Sequence, residues 1–391
     1  MTTPSIQRRA AVDASIQPFH INVADEVLKD LKARLGQTRW PDEVAGAEWS
    51  YGANLEFMHR LIDHWQHRFD WRAQERALNQ FPQFQTAIED ENLHFVHVRG
   101  KGEHPIPLLL ANGWPSNFYE MLPLVPRLTK ETNGVSFDVV IASLPGFGFS
   151  DRPHQPGMNL SRIGERLTVL MTRLGYERFM VHGSDMGAGA LQLIASLYPG
   201  RVIAMHQCNV YWNLPKPENA TKEEQEYFKR GQEWAAKEAA YGMVQSTKPQ
   251  NLAFGLNDSP AGLAAWIVEK FRTWSDCDGE VEKSYPLDTL CTLLTIYWVT
   301  ETIGSSMRLY AEAMRDPKMK LLEKKAKAPV GVAMFPKDLV PAPRAWGERW
   351  LNLKRWTDMP RGGHFAALET PDLLADDIRA FAVDVTSGRF N

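Results

Sequence analysis

Only three cysteines stand among the 391 residues, at Cys208, Cys277 and Cys291. An odd number at wide spacing excludes a disulfide framework and a metal-ligand pattern, and fits a reducing compartment. No run of about 18 consecutive apolar residues occurs, so no membrane-spanning helix or anchor is expected. The first 18 residues have no apolar core of the signal-peptide kind, and the reading is a soluble, cytoplasmic protein. An excess of one charge is also missing: 44 Lys plus Arg face 47 Asp plus Glu, a net charge of −3. That balance offers no basic stripe for nucleic acid and no like-charged tail. Internal repeats and low-complexity tracts are absent too. What is present is 44% hydrophobic residues, enough for one large catalytic domain with additions.

Periodicity divides the chain into four regions. Residues 1–85 read as a helical N-terminal meander. Its first helix starts near Asn22 or Asp25, with Val27, Leu28, Leu31 and Leu35 on one face and Pro41 as its end. A second helix carries Leu55, Met58, Leu61, Ile62, Trp65 and Phe69, an apolar stripe suited to packing on the main domain. Residues 86–211 alternate strands and helices. Paired strands over Ala87–Arg99 turn near Glu91-Asn92, and short apolar runs follow at Pro107–Ala111, Phe137–Ala142, Arg178–His182 and Val202–Gln207. Such runs separated by helices argue for an α/β architecture with a mostly parallel central sheet. Residues 212–327 are helical with no evident strand, which reads as a lid inserted between two sheet strands. Residues 328–391 resume the alternation, with strands at Val330–Phe335 and near Leu353–Trp356 and a closing helix from Pro371.

The chemistry is concentrated in Phe179-Met180-Val181-His182-Gly183-Ser184-Asp185-Met186-Gly187-Ala188-Gly189. A strand runs directly into a helix with glycines two positions either side of Asp185. This is the pattern of a nucleophile elbow, in which a strained central residue stands exposed at a helix N-terminus. A carboxylate there attacks saturated carbon, giving an alkyl ester that water must then cleave. Asp185 alone reads equally as a helix cap. Two later residues complete a set: Asp338 follows the apolar strand that ends in Met334-Phe335, and His364 lies in a Gly-Gly loop before the last helix. Nucleophile, acid, histidine is the chain order of the α/β-hydrolase fold.

The segment Asn112-Gly113-Trp114-Pro115 follows another strand, and the backbone N–H groups of Trp114 and Met186 are the candidate oxyanion donors. The isomer of the Trp114–Pro115 bond stays open in the sequence. Of the remaining histidines, His182 reads as a packed strand residue, His94 and His97 lie on the hairpin, and His59, His64 and His67 sit on a helix's polar side. None has metal-ligand spacing, so no metal and no cofactor are expected.

At these residues the sequence resembles the microsomal-type epoxide hydrolases, including their soluble fungal and bacterial members, over nearly its whole length. Thr38-Arg39-Trp40-Pro41, Phe69-Asp70-Trp71-Arg72 and Phe81-Pro82-Gln83-Phe84 are similar to that family's N-terminal meander. Ser143-Leu144-Pro145-Gly146-Phe147-Gly148-Phe149-Ser150, Phe335-Pro336-Lys337-Asp338-Leu339 and Gly362-Gly363-His364-Phe365-Ala366-Ala367-Leu368-Glu369 extend the likeness. The resemblance implies an epoxide substrate and water, and two lid tyrosines, matched by Tyr241 and Tyr310, that bind and protonate the epoxide oxygen. Trp114, Pro115, Phe147 and Trp212 are the candidates to line an apolar pocket for a bulky or aromatic epoxide.

The sequence departs from the family at Asn112, where members often have His, and at Ser116-Asn117, where Gly-Ser is usual. Met186 after the nucleophile speaks against the rival haloalkane dehalogenases, which resemble this fold but usually place a Trp there. A binding protein that has lost turnover is the other alternative, supported by Asn112 alone. The meander and lid offer apolar surface on which two copies could pair.

Overall fold

The computed structural model describes residues 16–211 and 214–390. Its nine strands are β1 (Ile16–Phe19), β2 (Gln83–Ile88), β3 (Glu91–Val98), β4 (Ile106–Ala111), β5 (Phe137–Ala142), β6 (Phe179–Gly183), β7 (Val202–Gln207), β8 (Val330–Met334) and β9 (Leu353–Asp358). They form one sheet in the order β1-β2-β3-β5-β4-β6-β7-β8-β9. The six from β5 to β9 run parallel, and β1 to β3 add an antiparallel edge. Every residue of β5, β6 and β8 is buried, which is why those strands read as unbroken apolar runs rather than alternating ones.

The helices are α1 (Asp25–Gly36), α2 (Leu55–His67), α3 (Trp71–Leu78), α4 (Val125–Thr129), α5 (Leu160–Arg173) and α6 (Asp185–Leu197), then the inserted set α7 (Lys222–Glu238), α8 (Ala240–Thr247), α9 (Pro249–Asp258), α10 (Pro260–Thr273), α11 (Leu287–Thr300) and α12 (Ile303–Ala313). The chain closes with α13 (Arg344–Trp350), α14 (Ala366–Glu369) and α15 (Pro371–Thr386). Helix α6 packs on β6 and β7, and α15 on β7 and β8. Between β7 and β8 no strand occurs among the described residues, and the insertion is helical as expected. Its first helix begins with a reciprocal cap, the Thr221 hydroxyl and the Glu224 carboxylate each accepting a backbone N–H at the other's position.

The structure corrects four local expectations. The N-terminal region is not wholly helical: β1 joins the sheet edge, and its Pro18, which argues against a central strand, is tolerated where only one neighbour needs pairing. Strand β2 begins at Gln83, inside the region assigned to the meander, and the hairpin turns two residues early, with Glu89 at φ +58°. Helix α1 starts at Asp25 behind Ala24, without a side-chain cap, and stops at Gly36 rather than at Pro41. Within it Leu31 and Leu35 are buried and Val27 is exposed.

The fourth correction matters most. The stripe on α2 buries Met58, Leu61, Ile62 and Trp65, but α1 and α2 lie against α10 and α11 of the insertion. The Trp65 indole N–H donates to Thr295 Oγ1 on α11 at 2.9 Å. Helices α1 and α2 therefore pack on the insertion rather than on the sheet. No helix among the described residues is long and apolar enough to cross a membrane.

Candidate active site

Five adjacent strands deliver the site, each from its carboxyl end, the usual position for function in a parallel sheet. Trp114 follows β4, Asp185 follows β6, Asn209 follows β7, Asp338 follows β8 and His364 follows β9. At the elbow Asp185 has φ +49°, a conformation rarely adopted outside glycine. The flanking glycines are required by space. A Cβ on Gly187 would stand 2.5 Å from the carbonyl oxygens of Ala111 and Asn112, and one on Gly183 would stand 2.8 Å from the backbone of Ala188. A Cβ on Gly113 would fall 2.0 Å from Asp185 Oδ1 itself.

The Asp185 carboxylate divides its two oxygens between two neighbours. Oδ1 accepts the Trp114 backbone N–H at 3.1 Å, and Oδ2 lies 3.6 Å from His364 Nε2. His364 Nδ1 meets Asp338 Oδ1 at 2.6 Å. Asp338 Oδ1 also accepts the Leu339 N–H at 2.7 Å, which fixes the carboxylate in the imidazole plane's reach. Burial disfavours the imidazolium, yet the two carboxylates outweigh it and hold His364 well above its ordinary value.

Two residues not singled out in the sequence strap the elbow. The Asp185 N–H donates to Asn209 Oδ1 at 3.1 Å, and the Tyr211 hydroxyl donates to the Asp185 carbonyl at 3.0 Å. Gly189 admits that hydroxyl, since a Cβ there would lie 2.3 Å from it. The available signal was position: Asn209 is the polar residue at the carboxyl end of the strand beside β6. Glu369 was quoted only within a motif, but its carboxylate accepts the backbone N–H groups of Asp276, Gly363 and Phe365 and so clamps the His364 loop to the lid. Burial pushes its pKa up to about 7 despite those three donors.

Tyr241 on α8 and Tyr310 on α12 both line the cavity that holds Asp185, Met186, Asp338 and His364. Their rings lie 5.9 Å apart, nearly perpendicular. Trp114 is fully buried and stacks on Tyr241 at 5.2 Å with a 10° tilt, while Trp274 packs edge-on against both Trp114 and His364. Burial, followed by the Asp185 charge, raises Tyr241 above the ordinary phenol value, and burial raises Tyr310. Both phenols are therefore protonated at neutral pH. The cavity has a volume of about 590 Å³ and is walled largely by Leu160, Val210, Trp234, Met243, Met314 and Val340.

The other predicted pocket residues fare differently. Pro115 and Phe147 are buried and do not line the cavity, and Trp114 contributes its N–H and supports Tyr241 instead. Trp212 lies outside the described residues. Met186 borders the cavity beside Asp185. The Trp114–Pro115 bond is cis. Asn112 is buried and turns its amide onto the Gly113 carbonyl at 3.0 Å, leaving the main-chain donor of Trp114 in place. Asn117 caps the short helix that starts at Phe118 through the Tyr119 N–H, and the Tyr297 hydroxyl from α11 holds the Ser116 carbonyl at 2.8 Å. Among the described residues no group of His, Cys, Asp or Glu is placed to hold a metal ion.

Sheet order, elbow and the carboxylate–imidazole–carboxylate row define an enzyme of the α/β-hydrolase fold, and the family model described as "alpha/beta hydrolase fold" matches residues 106–266. The model described as "Epoxide hydrolase N terminus" matches residues 16–121. Epoxide hydrolase 1 of Sus scrofa is 36% identical, with 97% of this chain and 91% of the pig protein covered. The crystal structure of juvenile hormone epoxide hydrolase from Bombyx mori superposes with a TM-score of 0.89 at 29% identity, covering 97% and 96% of the two chains. The epoxide hydrolase of Aspergillus niger gives a TM-score of 0.85 at 31% identity, covering 96% and 97%. The chain belongs to the epoxide hydrolases, hydrolases that act on ether bonds.

Proposed function

We propose that this protein opens a bulky apolar epoxide through a covalent ester on Asp185. The observation that carries the reading is the division of the Asp185 carboxylate, one oxygen held by the Trp114 N–H and the other facing His364 in the cavity that both tyrosines line. In the first step Oδ2 forms a bond to one epoxide carbon and the carbon–oxygen bond breaks. The released electron pair goes to the epoxide oxygen, which takes a proton from Tyr241 while Tyr310 shares the hydrogen bonding.

Ester formation removes the Asp185 charge, one of the two anions that keep His364 protonated. The imidazole then releases its resting proton to solvent, becoming a competent base at the stage that requires one, and takes a proton back from solvent when the Asp185 charge returns. It takes a proton from water, which attacks the ester carbonyl while the Trp114 and Met186 N–H groups hold the developing oxyanion. The diol leaves as an alkoxide and is protonated by the imidazolium. The second proton of the water restores Tyr241, so the cycle closes without a cofactor.

The walls favour an apolar or aromatic epoxide, and the volume suits a ligand of drug size. The experiment is a single turnover in ¹⁸O-water with enzyme in excess over an aryl epoxide. Unlabelled first diol, with label in the Asp185 carboxylate, is the expected result. Label in the first diol means direct attack by water. The three cysteines are free and buried, in keeping with a cytoplasmic setting. The exposed Trp40, Val44 and Tyr51 of the meander supply the face on which two copies would pair, and sedimentation velocity reads that directly.

A further inference from the structure

Lys270 is a buried ammonium behind the aromatic wall of the cavity. It sits on α10, is 8% exposed, and pairs with the neighbouring Glu269 carboxylate. Lysine is rarely buried unless paired, and Glu269 supplies the counter-charge. Its Nζ lies 5.2 Å from the ring centroid of Tyr241 and 5.8 Å from that of Trp274. Those two rings are themselves 5.1 Å apart, so the cation is packed against both. Neither the elbow nor the triad touches it.

A phenol that must give up its proton is poorly served by its other surroundings. Burial and the Asp185 charge both work against a tyrosinate at 241, and the smaller effect of the hydrogen bond with Tyr310 works for it. A cation on the ring face also works for it. It is attracted to a neutral ring, and more strongly to one that carries negative charge, and in a dry wall that difference is not screened by water.

We propose that Lys270 acts through Tyr241, as a positioning charge that favours the tyrosinate formed when Tyr241 protonates the opening epoxide. The inference rests on the covalent reading above. As Asp185 Oδ2 bonds to carbon, the epoxide carbon–oxygen bond breaks and its electron pair takes the Tyr241 proton. Lys270 keeps its own protons throughout and helps only this step. Hydrolysis of the ester, run by His364 and Asp338, does not draw on it.

The test uses the full-length protein with styrene oxide as probe. In a His364→Gln background the ester cannot be cleaved efficiently, and intact-protein mass spectrometry follows its formation. Lys270→Met in that background is expected to slow ester formation about tenfold, the size of a desolvated cation–π contact. Lys270→Arg should restore the rate to within about threefold. In the Lys270→Met single variant, decay of the ester after a single turnover should match the wild type. A packing role alone would raise KM or slow both steps together, and either result overturns the inference. Should Lys270→Met fold poorly, Lys270→Gln keeps a polar end against Glu269 without the charge and decides the same question. No ester at all in His364→Gln overturns the covalent mechanism and this inference with it. Ester that forms equally fast with Lys or Met at 270 overturns the inference alone.

Discussion

The floor and the roof of the cavity are built on different principles. The floor consists of loops that leave five adjacent strands, and its distances are set by the sheet and by glycines with no spare volume. The roof brings Tyr241 and Tyr310 from separate helices of the insertion and fixes them by ring packing against Trp114 and Trp274. A floor of this kind admits one geometry. A roof of this kind tolerates small shifts, because phenols with a rotatable O–H adapt to where the epoxide oxygen arrives.

That contrast can be broken by substitution. Asp185→Ala removes the attacking atom, and turnover should fall by about 10⁴-fold or more in steady-state assays. Gly113→Ala should approach that loss without replacing a reacting group, because its Cβ would overlap the Asp185 carboxylate. Single-turnover ester formation is the measurement, and a mild effect would show the floor to be more pliant than drawn. Tyr241→Phe and Tyr310→Phe should each slow ester formation by about 10²-fold, the scale of general acid catalysis, with the double variant worse than either. If either single variant were as dead as Asp185→Ala, floor and roof would not differ in tolerance.

A smaller effect appears in stability against pH. His94, buried between Ser143 and Gln83, is held down to about 3 by burial, so the folded state refuses a proton that the unfolded chain takes up below about pH 6.5. Asp377 is buried, yet bonds from His206, Thr357 and Arg355 lower it to about 2, and its stabilisation disappears as pH falls towards that value. Glu120 and Glu369 act in the opposite sense. Burial raises each to about 7, so the folded state binds their protons first and gains stability as pH drops from 7 towards the unfolded carboxylate range. The two trends oppose each other until those carboxyls are protonated in both states. His97 and His182 are also held down by burial, so the urea midpoint should fall from about pH 6.5 and more steeply below about pH 4.5, where the two glutamates no longer offset it. The smallest change expected is Tyr211→Phe, which removes one strap on the elbow and should cost about 1 kcal/mol by urea denaturation, with turnover reduced less than tenfold.

The same division explains what could be read in advance. Strand end, glycines and Asp185 lie within a few residues of one another at 179–189, and local sterics write that pattern directly into the sequence. Asp338 and His364 were legible as residues that follow strands. Tyr241 and Tyr310 carry no local signal; on a helix they look like core aromatics, and only the resemblance to a family distinguished them. Asn209, Tyr211 and Lys270 become visible through contacts between segments far apart in the chain, which no periodicity encodes. Phe147 shows the reverse case, an aromatic in a glycine-rich loop that reads as pocket and turns out to be core. β1 was hidden because Pro18 argues against a strand in the absence of knowledge that it would lie at an edge.

The placement of α1 and α2 has a mechanical consequence. Trp65 is bolted to Thr295, Arg60 to Glu282, His64 to Asp288 and Arg34 to Asp258. Every one of these ties joins the meander to the insertion. A canopy pinned on that side cannot hinge upward as a single plate without shearing its fastenings. The solvent-facing border of the cavity lies away from these ties, at Met243 and Met314, which are 66% and 76% exposed.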